Sequence, residues 1–146
     1  MNNDSETEKA GQCRNEFGIL SDFRYQLRRY MHFSEGLTNK YGVTNLQYLL
    51  LLHIKAYQNR EWATITELAE KLQSHHHGVV ALISRCEKLG LIYRKRSTLD
   101  KREVEIHLTP EGDRLVTILA DQHRNELLDL QDVFKVPGMQ EFKHTL

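Results

Sequence analysis

The chain of 146 residues has little cysteine, no long apolar run and no net charge. Cys13 lies in a polar leader and Cys86 lies inside an apolar helical pattern, so no structural disulfide is predicted and a reducing cytoplasm is the expected compartment. No apolar run approaches the roughly 18 residues of a membrane-spanning helix, and the longest is only Tyr48 to Leu52. The leader, MNNDSETEKAG, is acidic and polar, unlike a secretory signal. The composition is that of an ordinary globular domain.

Motifs of the common enzyme classes are also absent from the sequence. There is no glycine-rich phosphate loop, no nucleophile elbow, no CxxC and no HExxH, so no catalytic residue and no cofactor are predicted. His75, His76 and His77 are adjacent, and neighbouring residues on a helix project about 100° apart, so the three cannot converge on one metal ion. We therefore expect neither an enzyme nor a metal site.

The zero net charge hides a segregation along the chain. Residues 1–84 balance, with nine basic and nine acidic residues. Residues 85–102 hold seven basic and two acidic residues, a net charge of +5, whereas residues 103–146 hold four basic and nine acidic ones, a net charge of −5. The basic block is either a solvated charged loop or a positive face for an anionic partner.

Hydrophobic periodicity predicts a mainly helical chain with a small sheet. Residues 1–14 lack periodicity and are expected to be a disordered or frayed leader. Two long helices are predicted, from Phe17 to about Asn39 and from Pro110 to about Phe134. Shorter helices are predicted from residue 45 to about 58, from 65 to 72, and from the turn at 73–75 to Gly90. Extended segments are predicted at 62–65, 91–96 and 104–108, with a charged hairpin tip at 97–102.

Helix termini carry recognisable signals. Thr44 is a good cap for the second helix, and Thr64 with Glu67 forms a capping box for the third, although Thr66 is an equally good cap. Gly90 suits the left-handed position after the fourth helix. Thr109 followed by proline and an acidic residue predicts the start of the last helix.

Two short helices, a turn and a two-stranded hairpin form the plan of a winged helix-turn-helix, which predicts a DNA-binding region at 44–109. The expected fold class is mainly α with a two- to three-stranded β wing, within a single domain over residues 15–146. The flanking segments 15–43 and 110–146 carry apolar stripes that need a partner surface. A two-fold homodimer is the economical solution.

In this plan the fourth helix is the recognition helix, whose first turns meet base edges in the major groove. Its outward residues are predicted to be His75, His76, His77, Gly78, Val80, Ala81 and Arg85. In the wing, Arg94 and Arg96 alternate onto one face of a strand, with Lys101 and Arg102 at the tip. Arginine suits a narrow groove because its planar charged group gains from the negative potential there.

Three segments carry a resemblance to a known family: ELAEKL, KLGLIYRKRS and LDKREVEIHLTPEG. They resemble the MarR family of bacterial transcription regulators, most specifically in the D-x-R wing signature at Asp100 and Arg102. The resemblance covers residues 17–135. It implies that Arg102 enters the minor groove, that Asp100 orders the wing by pairing with nearby basic groups, and that residues 75–81 face the major groove. His75 and Ala81 depart from the Ser or Thr cap and mid-helix Arg common in the family.

The resemblance also implies a cleft for a small aromatic or phenolic effector that releases DNA. The candidate lining residues are Arg24, Tyr25, Tyr30, His32, His53 and Trp62. Aromatic side chains at helical spacing are also typical of a hydrophobic core.

Two alternatives to an effector-controlled DNA-binding regulator stay open at this point. One is a redox-responsive regulator that senses through Cys13, and the other is a winged helix used only for protein contacts. The arginine-bearing wing favours double-stranded DNA as the partner, with transcriptional control, more often repression, as the role. Such a protein would act at the bacterial nucleoid.

Overall fold

The computed structural model describes residues 3–132 and 134–142, with side chains from residue 15 onward. In that part of the chain it contains α1 (Asn3–Lys40), α2 (Asn45–Lys55), β1 (Trp62–Thr64), α3 (Ile65–Leu72), α4 (His76–Lys88), β2 (Ile92–Arg96), β3 (Val104–Leu108) and α5 (Pro110–Leu130). The predicted fold class, mainly α with a small sheet, is confirmed.

The three strands form one antiparallel sheet in the order β1-β3-β2. The central strand β3 pairs Ile106 with Ala63 of β1 on one side and with Arg94 of β2 on the other. The β2–β3 hairpin is the predicted wing, and the short extended segment after α2 supplies its third strand. Both Ala63 and Ile106 are fully buried, so the sheet closes one side of the hydrophobic core.

Helix ends differ from the sequence-based expectation at three places. Helix α1 begins at Asn3 and so includes residues 3–14, for which the sequence predicts a leader without regular structure. Glutamate, lysine and alanine in that segment are good helix formers, and no proline interrupts them. Helix α2 ends three residues earlier than predicted, where the Ala56 N–H donates to the Leu52 carbonyl. Helix α5 ends at Leu130, followed by a turn at 131–132.

The predicted caps are present, and the structure decides between the two candidates for α3. The Thr64 hydroxyl accepts the Glu67 N–H at 3.2 Å, and the Glu67 carboxylate accepts the Thr64 N–H at 3.0 Å. Thr64, rather than Thr66, is therefore the N-cap. Gly90, after α4, has a φ of 75°, the left-handed conformation that glycine adopts without steric cost.

The chain divides into two compact units, residues 34–124 and residues 1–33 with 125–146. This division lies inside α1 and α5, whereas the sequence-based boundaries at residues 43 and 110 lie at helix ends. The unit of residues 34–124 contains the winged helix-turn-helix. Its fully buried apolar side chains come from α2, α3, α4, the sheet and α5: Leu50, Leu51, Ile54, Ala63, Leu68, Val79, Ile83, Cys86, Ile106, Val116 and Leu119.

A polar cluster is buried inside the same unit. The Ser34 hydroxyl donates to Asn45 Oδ1 at 2.8 Å and lies 2.8 Å from His123 Nε2. The other ring nitrogen of His123 lies 2.7 Å from the Leu119 carbonyl oxygen, and the ring stacks on Tyr48 with centroids 4.6 Å apart. Hydrogen bonds of this kind offset the cost of burying polar groups, so α1, α2 and α5 are held at one point.

The unit of residues 1–33 and 125–146 has a small aromatic contact and much exposed apolar surface. Phe134 stacks on Phe23 with centroids 5.9 Å apart and lies 6.4 Å from Tyr30. Large apolar side chains that remain exposed in this unit are Phe17, Leu20, Tyr25, Met31, Leu127, Leu128, Val136 and Met139. Among the described residues, no helix is both long enough and apolar enough to cross a bilayer.

Candidate nucleic-acid interface

A tight turn joins α3 to α4 and sets the direction in which α4 leaves the core. Gln73 takes a left-handed conformation with φ 51° and ψ 45°, and its N–H donates to the carbonyls of Ala69 and Glu70. His75 is the N-cap of α4, but its side chain makes no capping hydrogen bond. The N–H groups of the first turn of α4 therefore lack a side-chain acceptor from the cap residue.

Helix α4 has a buried face and an open face, as the sequence predicts for a recognition helix. Val79, Ile83 and Cys86 are fully buried. Burial raises the pKa of the Cys86 thiol to about 11, against a smaller lowering effect of Arg85. Of the predicted DNA-facing residues, His75, His76, His77, Ala81 and Arg85 are exposed, and Gly78 and Val80 are partly buried.

Two of the three histidines stand side by side at the start of α4. The imidazole rings of His75 and His77 are parallel within 2°, with centroids 5.8 Å apart. Both rings are exposed and can donate or accept hydrogen bonds at a base or a phosphate. The described residues contain no group of three His, Cys, Asp or Glu side chains placed to hold a metal ion.

The wing strands place their basic residues in different surroundings. Arg94 donates to the Ser84 hydroxyl at 2.8 Å, and its guanidinium lies 3.4 Å from the Glu87 carboxylate. Both partners belong to α4, so Arg94 holds β2 against α4. Arg96, two residues further along the strand, is exposed and forms no ion pair with any described residue. The two arginines that the sequence places on one face thus differ, because Arg94 is bonded to side chains of α4 and Arg96 is not.

The wing tip is ordered by a mechanism other than the one that the family resemblance implies. Asp100 has no basic side chain within ion-pair distance among the described residues, which corrects the expected pairing with nearby basic groups. Its carboxylate instead accepts the backbone N–H of Arg102 at 3.0 Å. A short acidic side chain can bridge to the backbone two residues ahead, and this local bond satisfies Asp100 without a cation. The side chains of Lys101 and Arg102 are consequently left exposed.

Ser97 is a structural residue of the tip that sequence reasoning missed. It is 4% exposed, and its hydroxyl accepts the N–H groups of both Leu99 and Asp100, each at 3.2 Å. Its own N–H donates to the Glu103 carbonyl at 3.1 Å, which closes the hairpin. The available signal was a serine at the start of the tip, the position at which such side chains form turns.

A second missed cluster supports the start of α3. The Arg60 guanidinium lies over the rings of Tyr57 and Trp62, at 4.1 Å and 4.3 Å from their centroids, and pairs with Glu67. Burial acts to raise the pKa of Glu67, but hydrogen bonds from Arg60 and from Thr64 outweigh it and lower that pKa to about 2. The capping carboxylate of α3 is therefore charged in the folded protein at neutral pH.

The predicted effector residues are distributed over both units. Tyr25, Tyr30 and His32 line one pocket of about 430 Å³ in the unit of residues 1–33 and 125–146. The other residues lining this pocket are Arg28, Arg29, Phe33, Glu126 and Leu130. Burial, and then the Glu126 carboxylate, raise the pKa of Tyr30, so its phenol stays protonated.

The remaining three effector candidates lie elsewhere. Arg24 lines a neighbouring pocket of about 400 Å³ on α1. His53 and Trp62 belong to the unit of residues 34–124, where Trp62 is in contact with Arg60. Burial lowers the pKa of His53, and the charge of Lys71 lowers it further, which favours a neutral imidazole. The side chain of Cys13, the candidate redox sensor, lies outside the described residues.

Comparisons with known proteins agree with this geometry. A family model described as the MarR family matches residues 41–103. YsmB, an HTH-type transcriptional regulator of Bacillus subtilis, is 29% identical over 110 residues, which cover 75% of this chain and 73% of that protein. Two further Bacillus subtilis regulators are matched over only 46% and 50% of their own length.

Solved structures share the fold. A MarR family protein from Bacillus stearothermophilus superimposes with a TM-score of 0.70 at 20% identity, over 90% of each chain. An F27L mutant of Staphylococcus aureus MepR, bound to an oligodeoxyribonucleotide, superimposes with a TM-score of 0.62 at 23% identity, over 84% of this chain and 87% of that one. The winged helix-turn-helix region at residues 41–103, with its D-x-R wing, thus matches the MarR family of transcriptional regulators, and the chain shares the fold of solved proteins of that family.

Proposed function

We propose that this protein binds a pseudo-palindromic operator as a homodimer and represses the transcription of its own or a neighbouring gene. One observation carries the proposal: the residues of the +5 segment converge on α4 and the wing, within a single unit. Three of its cations, Arg96, Lys101 and Arg102, are exposed and unpaired among the described residues. Free cations on one face attract a polyanion, because phosphate contacts release condensed counterions.

The two elements suit the two grooves of B-form DNA. Helix α4 offers exposed imidazoles and the small Ala81 side chain, which permit a close approach to base edges in the major groove. The wing offers Arg102 for the narrow minor groove. MepR, whose fold this chain shares, is a protein that binds an oligodeoxyribonucleotide.

A homodimer is supported by the apolar surface of the unit formed by residues 1–33 and 125–146. Phe17 is 68% exposed and Leu128 is 56% exposed, which is costly for a single chain in water. A second copy of the same surface would cover both under two-fold symmetry. The two recognition helices would then contact half-sites about one helical turn apart, roughly 34–36 Å.

Fluorescence anisotropy with labelled DNA from the region upstream of the gene tests DNA binding. We expect saturable binding whose dissociation constant rises steeply between about 50 and 200 mM salt, because several phosphate contacts are made. Equilibrium sedimentation at micromolar concentration should give twice the mass of 17.2 kDa. Absence of binding, or binding whose dissociation constant does not depend on salt, would favour a protein-interaction module instead. A monomer in sedimentation would remove the basis for two half-sites.

An effector site is supported by the pocket that Tyr25 and His32 line. Arg28 and Arg29 supply positive charge there, and Tyr30 and Phe33 supply aromatic rings. The volume of about 430 Å³ suits a small aromatic acid, which would place its carboxylate on an arginine and its ring between aromatic side chains. Benzoate and 4-hydroxybenzoate are the probes: each should release operator DNA from the wild type and fail to release it from an Arg28→Ala variant. Release from both proteins alike would exclude this pocket.

A further inference from the structure

Leu99 is the most exposed large apolar side chain among the described residues, at 93%. Single exposed leucines are common on protein surfaces and need no explanation by themselves. Leu99 differs because of its place at the end of the wing, where the backbone is fixed, the adjacent Asp100 carboxylate is bonded to the Arg102 N–H, and basic side chains lie two to three residues away on either side. The fixed backbone limits where the exposed side chain can lie, and the charges nearby indicate which kind of partner it contacts.

The backbone of Leu99 is held by the hydrogen bonds of the tip. The buried Ser97 hydroxyl accepts the N–H of Leu99, and the Asp100 carbonyl accepts the N–H of Glu103 at 3.0 Å. The Asp100 carboxylate also accepts the N–H of Arg102. A loop fixed in this way holds the backbone of its outermost residue in one conformation, which reduces the backbone entropy that would be lost on binding.

The charges on either side of Leu99 determine which partner fits. Arg96 precedes it, and Lys101 and Arg102 follow it, and none of these three has an anionic partner among the described residues. An apolar protein surface would leave three cations desolvated and unpaired at such a contact. A DNA groove instead places phosphates on both sides of an apolar base stack, which matches a leucine between cations.

We propose that Leu99 acts as a wedge that enters the minor groove of the operator and partly unstacks one base step beneath the wing. This inference rests on the proposed DNA-binding function. Proteins that bind the minor groove use apolar side chains in this way, and the cost of unstacking is recovered through additional contacts to the bent duplex. Pyrimidine–purine steps unstack most easily, so Leu99 also makes the protein prefer TA or CA/TG at that step without a hydrogen bond to any base.

Three variants separate the wedge from the charges around it. Leu99→Ala removes the wedge, Leu99→Met keeps an apolar side chain of similar volume, and Arg102→Ala removes a charge. Leu99→Ala should weaken operator binding by about tenfold or more with an unchanged salt dependence, since an apolar contact releases no counterions. Leu99→Met should bind nearly as the wild type. Arg102→Ala should weaken binding and also reduce the slope of log Kd against log salt by roughly 1 per wing.

Unstacking is measured directly by the fluorescence of 2-aminopurine placed, in turn, at each base step under the wing. Its fluorescence should rise at one step when the wild type or Leu99→Met binds, and should rise much less with Leu99→Ala at saturating protein. Thermal unfolding of Leu99→Ala should match the wild type, because an exposed side chain makes no fold contacts to lose. A Leu99→Ala variant with wild-type affinity and wild-type 2-aminopurine fluorescence would overturn the wedge while leaving DNA binding intact. Failure of the wild type to bind DNA would instead refute the proposed function.

Discussion

Gly112, in the first turn of α5, lies against the backbone of Leu91 so closely that a Cβ atom on Gly112 would fall 2.0 Å from the Leu91 carbonyl oxygen. The same carbonyl accepts the Thr109 N–H at 3.0 Å, and the Thr109 hydroxyl donates to the Gly90 carbonyl. The start of α5 is thus bonded to the segment that connects α4 with the wing. Both hydrogen bonds of Thr109, to the Leu91 and the Gly90 carbonyls, depend on the absence of a side chain at position 112.

A Gly112→Ala exchange should therefore destabilise the protein by roughly 3 kcal/mol or more, because backbone atoms rather than a flexible side chain would have to move. Urea unfolding followed by circular dichroism measures this change. Gly36→Ala is the matched control, since a Cβ atom there meets nothing within 4 Å. In a helix interior that exchange should stabilise by about 0.5–1 kcal/mol. Equal effects of the two exchanges would contradict the close contact with Leu91.

Glu67 should give the stability of the protein a measurable acid dependence. Its pKa is about 2 in the folded protein against an ordinary value of 4.5, so the unfolded chain takes up the proton first as pH falls. The stabilisation is complete above about pH 5 and is lost as pH falls towards about 2. Glu67→Gln should lower the free energy of unfolding by about 1 kcal/mol at pH 7, and the difference from the wild type should shrink towards pH 2.

Glu67→Ala provides the companion measurement, because glutamine can still accept the Thr64 N–H and alanine cannot. The alanine variant should lose about a further 1 kcal/mol that does not depend on pH. A constant difference between wild type and Glu67→Gln from pH 7 to pH 2 would show that the charge of Glu67 contributes nothing.

Arg102→Ala should weaken binding by roughly tenfold on every DNA sequence tested, because its charge acts on the groove potential and the phosphates rather than on base identity. Anisotropy titrations at several salt concentrations on operator and unrelated DNA provide the measurement. Arg114→Ala is the control: Arg114 is exposed on α5 and pairs with Glu111 at 3.4 Å, outside the α4–wing surface. Its titration curves should overlay those of the wild type, and wild-type binding by Arg102→Ala would refute the assignment of the wing.

His77 should influence which sequences are bound more than how tightly DNA is bound overall. Its ring is exposed and parallel to that of His75, a geometry that suits hydrogen bonds to base edges. Replacement by alanine should reduce discrimination at one base pair of each half-site by roughly 1 kcal/mol. Selection from a randomised oligonucleotide pool measures this preference, with Arg102→Ala as the contrasting variant. An identical selected sequence for His77→Ala and wild type would exclude base contact by His77.

Periodic features of this molecule could be read from the sequence. The apolar spacing around Val79 and Ile83 predicts the buried face of α4, and the alternation around Ile106 predicts β3. The same patterns predict the exposed histidines and the basic hairpin. Local signals such as the Thr44 cap of α2 also suffice, since the Thr44 hydroxyl and the Gln47 N–H lie within one turn of helix. The choice of Thr64 over Thr66 as the cap of α3 needed the structure.

Other features depend on atoms that only the fold brings together. Arg94 reads as a DNA contact in the sequence, yet its partners Ser84 and Glu87 belong to a different element and become neighbours only when β2 packs beside α4. The contact between Ser34 and His123 joins residues 89 positions apart. The ion pair expected for Asp100 was wrong for the opposite reason. Its carboxylate accepts the N–H of Arg102, only two residues away, and pairs with no cation among the described residues.

The buried thiol of Cys86 can report on the opening of the structure around α4. A thiol with a pKa of about 11 and no exposed surface reacts with maleimide or a disulfide reagent only when the structure around α4 opens. In a Cys13→Ser background, the rate of labelling at Cys86 therefore measures how often the structure around α4 opens. Operator DNA that binds the closed form should slow this labelling in proportion to its occupancy, so a simple colour assay would follow binding without any label on the DNA.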